Sequence, residues 1–127
     1  MIVAGVGSKR GVAREEVCAA IDAALARADL SRAALGAIAT PAVKGGEAGI
    51  AAAAAAMGLP LILVPQSRLE AVAGQAQTHS ERVIALLRVP SAAETAALAA
   101  AGLSAVLLGP RLALGPVTCA LARGGAS

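Results

Sequence analysis

The chain has 127 residues and a formal net charge of +3, 57% of its residues are hydrophobic, and it contains no Phe, Tyr or Trp. This length favours a single domain with a real core, and so apolar a composition excludes a largely disordered chain. Without aromatic side chains or a run of basic residues, the sequence argues against nucleic acid and membrane surfaces as partners.

The first half of the chain alternates apolar runs with segments of helical pattern. Residues 1–6 are predicted as a buried strand. Residues 14–27 carry apolar side chains at three- and four-residue spacings, which predict a helix. A second strand is predicted at residues 34–40, followed by an alanine-rich helix that ends at Met57. Residues 60–64 are apolar at every position, as expected of a central parallel strand.

The second half contains three Ser/Thr-x-x-Glu patterns, which begin at Ser67, Thr78 and Ser91. Each predicts the start of a helix, because such pairs satisfy the free N–H groups of a first turn. Strands are predicted at residues 104–108 and 116–122. The last strand and the short extended piece before it are joined by too few residues for a helical crossover, so this pair is predicted to be antiparallel.

Strands that alternate with helices predict an α/β fold, here a three-layer α/β/α sandwich with a mixed, mostly parallel sheet of about five strands. One domain is predicted over residues 1–123, followed by a disordered tail at residues 124–127. Residues 48–65 carry no charge, but the Gly-Leu-Pro sequence at 58–60 divides them into a helix and a strand rather than a membrane span. The sequence shows no signal peptide pattern, and we expect a cytoplasmic protein.

Residues 5–12 (GVGSKRGV) join the first strand to the first helix. A glycine-rich turn at this position presents backbone N–H groups and two cations, Lys9 and Arg10, which suits an anion. The G-x-G-x-x-x-G spacing differs from the dinucleotide fingerprint by one residue, and it lacks the Lys-Ser/Thr ending of a P-loop. An anion site and a plain turn with solvated cations are equally consistent with this spacing.

Ligands of open α/β sheets bind beyond the carboxyl ends of the strands. Four cations are predicted to lie there: Lys9, Arg10, Lys44 and Arg111. Together they would suit a polycarboxylate or a phosphate. Glu47 lies among them, either as a catalytic acid or base or as the ion-pair partner of Lys44 at the start of a helix, and the spacing favours the ion pair.

The full set of candidate ligand-binding residues is Gly7, Ser8, Lys9, Arg10, Thr40, Lys44, Ser91, Glu94, Arg111 and Thr118. Ser91 and Glu94 are better explained as helix caps, and Thr118 as an ordinary strand residue. A single histidine and two widely separated cysteines give no metal-ligand spacing, so neither a metal site nor a cofactor is predicted.

Five segments occur in an order and at separations that resemble the CobE and CbiG C-terminal domain family of cobalamin biosynthesis. They are residues 5–12, residues 39–49 with Ala-Thr, Lys44 and Glu-Ala-Gly, residues 58–61 (GLPL), residues 90–94 (PSAAE) and residues 117–123 (VTCALAR). The chain departs from the family where Pro41 and Ala42 replace a common Ile-Asp pair, Ser8 replaces a frequent Cys, and Ala13 replaces a Ser or Thr.

The resemblance implies a corrin precursor with many acetate and propionate groups as the ligand. CbiG proteins act as cobalt-precorrin-5A hydrolases, which open a lactone and release acetaldehyde, whereas the role of the free-standing CobE type, which this chain resembles more, is poorly defined. Three functions are therefore considered: an accessory or carrier protein that binds a precorrin, a hydrolase or rearrangement enzyme with Glu47 as acid or base, and a module that docks on another enzyme of the pathway. The missing Asp after Thr40 weakens the case for hydrolysis.

Overall fold

The computed structural model describes residues 1–124 of the chain. These residues form six β-strands and five α-helices, connected by turns and short 3-10 helices. The elements in chain order are β1 (Ile2–Ser8), α1 (Arg14–Arg27), β2 (Leu35–Pro41), α2 (Ala48–Met57), β3 (Leu61–Val64), α3 (Gln66–Ala71), α4 (Glu81–Leu87), α5 (Ala92–Ala101), β4 (Val106–Leu107), β5 (Leu112–Leu114) and β6 (Val117–Arg123).

The strands form one mixed sheet in the order β3-β2-β1-β6-β4, and β5 also pairs with β6. The β1–β2 and β2–β3 pairs are parallel. β6 runs antiparallel to β1, β4 and β5, which confirms the predicted antiparallel pairing of the last two strands. The α/β fold with a mixed sheet is thus confirmed: β6 runs opposite to β1, β4 and β5, and β1, β2 and β3 run in one direction.

Helices cover both faces of the sheet. α1 and α2 pack on one face, where the side chains of Val6, Ile38 and Leu121 join the core. α5 lies on the other face and is buried at every position from Ala92 to Ala99, because α3 and α4 pack outside it. A helix built almost entirely of alanine can approach the sheet closely, which suits a core without aromatic side chains.

Two of the three glycines in the predicted turn lie inside β1. A Cβ atom on Gly5 would overlap the carbonyl oxygen of Ala93 and approach the backbone nitrogen of Ala97 to 2.7 Å. Gly5 therefore allows α5 to contact the sheet rather than allowing a ligand to approach. Of the three glycines, Gly11 alone takes the left-handed conformation that a turn requires, with φ +74°.

The strand predicted to be central, β3, lies at the edge of the sheet. Leu63 on β3 is 45% exposed. The apolar composition of residues 60–64 was a correct sign of a strand but not of its place, because the next strand, β4, pairs with β6, and among the described residues β3 pairs with β2 alone.

The three predicted helix caps have different outcomes. The hydroxyl of Ser91 accepts the N–H of Glu94 at 3.2 Å, which confirms the third cap. The second is displaced, because α4 is capped by Ser80, whose hydroxyl accepts the N–H of Val83 at 3.3 Å. α3 begins directly after Pro65 without a side-chain cap, ahead of the predicted start at Ser67.

No single helix within residues 1–124 is long and apolar enough to cross a bilayer, and α4 with α5 reach that limit only when counted together across a 61° bend. At the end of the domain, the N–H of Gly124 donates to the carbonyl of Met1 at 2.8 Å. The remaining residues of the predicted tail, 125–127, lie outside the described residues.

The two cysteines are free thiols in different environments. Burial raises the pKa of the Cys119 thiol to about 12, whereas Cys18 is half-buried on α1. Because thiolates are the reactive form, we expect Ellman's reagent at pH 8 to modify Cys18 in the native protein and Cys119 only after unfolding. Cys18→Ser should abolish the native reaction, and rapid labelling of that variant would contradict the assignment.

Candidate functional site

Four elements meet where β1 ends. The segment from Gly7 to Val12, here called the glycine loop, leaves the sheet between the start of α2, the start of α5 and the start of β6. Gly7 pairs with Thr118 of β6, and a Cβ atom on Gly7 would lie 3.2 Å from Cβ of Ala92, the first residue of α5. We call the surface formed by the glycine loop, the starts of α2, α5 and β6 and the carboxyl end of β2 the rim.

The glycine loop is fixed at both of its sides. The N–H of Lys9 donates to the carbonyl of Pro116 at 3.0 Å, and the N–H of Gly11 donates to Oε2 of Glu47 at 3.0 Å. The side chains of Lys9 and Arg10 between these two tethers are exposed. The loop therefore presents two cations on a backbone that is hydrogen-bonded on both sides, which lowers the entropy cost of binding a ligand.

The predicted ion pair between Lys44 and Glu47 does not form. Within residues 1–124 the ion pairs are Arg14–Glu15 and Arg32–Asp22. Glu47 instead occupies the N-cap position of α2 and its carboxylate bonds the glycine loop. Lys44 ends a 3-10 turn that follows β2. Because β1 and β2 are parallel, Lys44 lies at the same end of the sheet as the glycine loop, and Glu47 does not neutralise it.

The predicted hydroxyl groups of the rim differ in what they contact. Oγ1 of Thr40 is buried and donates to the carbonyl of Val6 at 2.7 Å, so it ties β2 to β1. Oγ1 of Thr118 donates to the carbonyl of Gly7 at 3.3 Å and is half-buried beside α5. The buried Oγ of Ser8 has no hydrogen-bond partner within the described residues.

Glu94 is fully buried on the first turn of α5. Its Oε1 accepts the backbone N–H groups of Gln77 and Thr78 at 2.8 and 2.9 Å. Its Oε2 accepts the Thr78 hydroxyl and the backbone N–H of Arg111, both at 2.7 Å. Sequence reasoning missed these partners, because the Thr78-x-x-Glu81 pattern suggested a helix cap instead.

Arg111 is separated from the other predicted cations. It directly precedes Leu112, which pairs with Cys119 in the middle of β6 rather than with its first residue. In the sheet order, β6 and β1 lie between β5, which Arg111 precedes, and β2, which leads to Lys44. The structure therefore brings Lys9, Arg10 and Lys44 to neighbouring strand ends and places Arg111 on the far side of β6, where its backbone N–H bonds Glu94 on the first turn of α5.

Two cavities were found among the described residues. One lies between β3, α3 and α5, and the other lies between α3, α4 and Val43 in the turn after β2; none of the four predicted cations lines either of them. Among residues 1–124 there is also no group of three or more His, Cys, Asp or Glu side chains that could hold a metal ion.

The sequence of the chain matches known proteins along almost its whole length. The family described as cobalamin synthesis G C-terminus matches residues 2–122. Protein CobE of Sinorhizobium sp. is 35% identical over 121 residues, which cover 95% of this chain and 79% of that protein.

Solved structures give the same result. The chain superimposes with a TM-score of 0.92 and 29% identity on the crystal structure of CobE, a protein from the cobalamin (vitamin B12) biosynthetic pathway, over 97% of this chain and 89% of that one. The cobalamin biosynthesis protein chiG from Agrobacterium tumefaciens str. C58 gives a TM-score of 0.80 at 39% identity, covering 99% and 100% of the two chains. A cobalamin biosynthesis protein G homolog from Sulfolobus solfataricus shares the fold at a TM-score of 0.70 and 24% identity, over 97% of this chain and 36% of that one.

Proposed function

Because the chain belongs to the CobE and cobalamin synthesis G C-terminal family of cobalamin biosynthesis proteins, we propose that it is an accessory or carrier protein that binds a precorrin-type intermediate at the rim. Such an intermediate is a tetrapyrrole macrocycle that bears several carboxylates.

The observation that carries the proposal is the glycine loop. It holds the exposed side chains of Lys9 and Arg10 at a fixed strand end, close to the start of α5. The nearby carboxylate of Glu47 is bonded to the backbone N–H of Gly11 rather than to a cation. Peripheral carboxylates of a macrocycle could therefore pair with the loop cations and with Lys44 without first displacing an internal ion pair.

The cavities and the contacts of Glu47 support carriage more than catalysis. An enzyme site is usually a concave pocket that excludes water, and neither cavity described above is lined by Lys9, Arg10 or Glu47. The candidate acid or base, Glu47, is engaged in holding the glycine loop. If the protein is a carrier, a bound macrocycle should be recovered chemically unchanged, which mass spectrometry of the released ligand can check.

We expect the double variant Lys9→Ala/Arg10→Ala to bind hydrogenobyrinic acid about 10- to 100-fold more weakly than the wild-type protein, because it removes two charge-assisted contacts of exposed side chains, each worth about 0.7–1.4 kcal/mol. The measurement is a spectral titration, supported by co-elution on gel filtration. Raising the salt concentration should narrow the difference, since exposed charges are screened.

A matched control removes the same charge from the opposite end of the sheet. Arg32 precedes β2 and Arg123 ends β6, so Arg32→Ala/Arg123→Ala lowers the net charge equally without touching the rim; it also breaks the exposed Arg32–Asp22 ion pair, so its thermal unfolding is measured alongside. This variant should bind as the wild type does. Equal losses of affinity in the two double variants would mean that the ligand binds by non-specific electrostatic attraction. Absence of a spectral change on titration of the wild-type protein would reject the proposed function.

A further inference from the structure

The carboxylate of Glu94 has four hydrogen-bond donors and no cation. Two donors are the backbone N–H groups of Gln77 and Thr78, one is the Thr78 hydroxyl, and one is the backbone N–H of Arg111. Within residues 1–124 no Lys or Arg forms an ion pair with it, although it is fully buried. A buried carboxylate is stable only when such bonds replace its hydration, so all four donors matter.

Capping of α5 does not account for this carboxylate. The hydroxyl of Ser91 already accepts the N–H of Glu94, as an N-cap should. In a capping box the glutamate would bond back to the N-cap backbone, but here both carboxylate oxygens are turned to residues 16 and 17 positions away. The side chain therefore connects the helix start to two segments that are distant in the chain.

We infer that Glu94 is a positioning residue: its carboxylate fixes the Gln77–Thr78 segment and the backbone of Arg111 beside the start of α5, and so sets where the Arg111 guanidinium meets a ligand carboxylate. The inference rests on the proposed function for the ligand class. Arg111 is half-buried and has no ion-pair partner within the described residues, so an anion could pair with it without displacing an internal carboxylate. The N–H of Ser80 donates to the carbonyl of Pro90 at 2.9 Å, which holds the same segment against α5 a second time.

The first experiment is hydrogen exchange of Glu94→Gln. Each carboxylate oxygen of Glu94 accepts from two donors, whereas a glutamine side chain offers one oxygen and one NH₂ group. Two of the four donors would therefore face the NH₂ group instead of an acceptor. We expect the amides of Thr78 and Arg111 to exchange at least about 10-fold faster than in the wild type, while amides of β1 and β6 keep their protection. Glu81→Gln, which removes a charge from an exposed position close to the same segment, should leave these rates unchanged.

The second experiment is a double-mutant cycle on binding of hydrogenobyrinic acid. If Glu94 acts through Arg111, Glu94→Gln should weaken binding about as much as Arg111→Ala, and the double variant should be no weaker than either single variant. Fully additive losses, or wild-type affinity in Glu94→Gln, would overturn the inference. Thermal unfolding of each variant separates this effect from loss of the fold.

Thr78→Val provides an independent check if Glu94→Gln does not fold. It removes one of the four donors and leaves the carboxylate in place. Faster exchange of the Thr78 and Arg111 amides is again expected, and unchanged exchange would contradict the role of Glu94. Absence of ligand binding by the wild type would reject the proposed function and the ligand part of the inference, while the exchange rates would still decide whether Glu94 fixes the two segments.

Discussion

Gly5→Ala should lower the free energy of unfolding by more than about 3 kcal/mol, or prevent folding, although it adds a single methyl group. That methyl group would overlap the carbonyl oxygen of Ala93 and lie 2.7 Å from the nitrogen of Ala97. Both atoms belong to the backbone of α5, which is buried between the sheet and the outer helices and cannot move away locally. Urea denaturation followed by circular dichroism measures the change.

Gly74→Ala is the matched control for Gly5→Ala. Gly74 lies in a 3-10 turn, nothing lies within 4 Å of an added Cβ atom, and its φ is not in the left-handed range. This substitution should be neutral or should stabilise by up to about 1 kcal/mol, because it restricts the unfolded chain. Similar behaviour of the two variants would show that close packing of α5 on β1 does not determine stability.

Gly49→Ala is expected to destabilise the protein by about 2–4 kcal/mol and to weaken ligand binding at the rim by about 10-fold. Gly49 is buried on the first turn of α2, where an added Cβ atom would overlap the carbonyl oxygen of Val12 and lie 2.9 Å from its carbon. Relief of this contact moves α2 away from the glycine loop and pulls Glu47 from Gly11. Denaturation and titration on one sample measure both effects.

Gly46→Ala tests whether the loss of stability and affinity in Gly49→Ala comes from the position of the added methyl group or from replacing any glycine before the helix. Gly46 lies three residues earlier, and an added Cβ atom there meets nothing within 4 Å. We expect wild-type stability and affinity for this variant. If Gly49→Ala lost stability but kept full affinity, the start of α2 would not control the glycine loop.

Elements with strong local signals were predictable from the sequence. The predicted helix at residues 14–27 has the observed bounds of α1, and the cap of α5 at Ser91 was found because a capping side chain bonds within its own turn. The glycine loop also carries a local signal. Gly11 takes the left-handed conformation that favours glycine where the chain passes from β1 to α1.

Features that depend on distant partners were not predictable. The edge position of β3 follows from the pairing of β4 with β6 rather than with β3, which no local pattern in residues 60–64 encodes. Glu47 sits at the right spacing for an ion pair with Lys44, but its carboxylate finds the N–H of Gly11, which lies 36 positions away in the sequence. The spacing of Ser91 and Glu94 predicts a helix cap, but the carboxylate of Glu94 accepts N–H groups of Gln77 and Arg111, which are distant in the sequence.

The hydrogen bond between Gly124 and Met1 determines where additional polypeptide would leave this fold. Both residues lie at the end of the sheet opposite the glycine loop, since Ile2 pairs with Arg123 while Ser8 pairs with Val117. A fused neighbour at either terminus would thus emerge at the end of the sheet away from the rim. The same proximity makes a circular permutant, with these two ends joined by a short linker and a new opening in an exposed turn, a feasible engineered form.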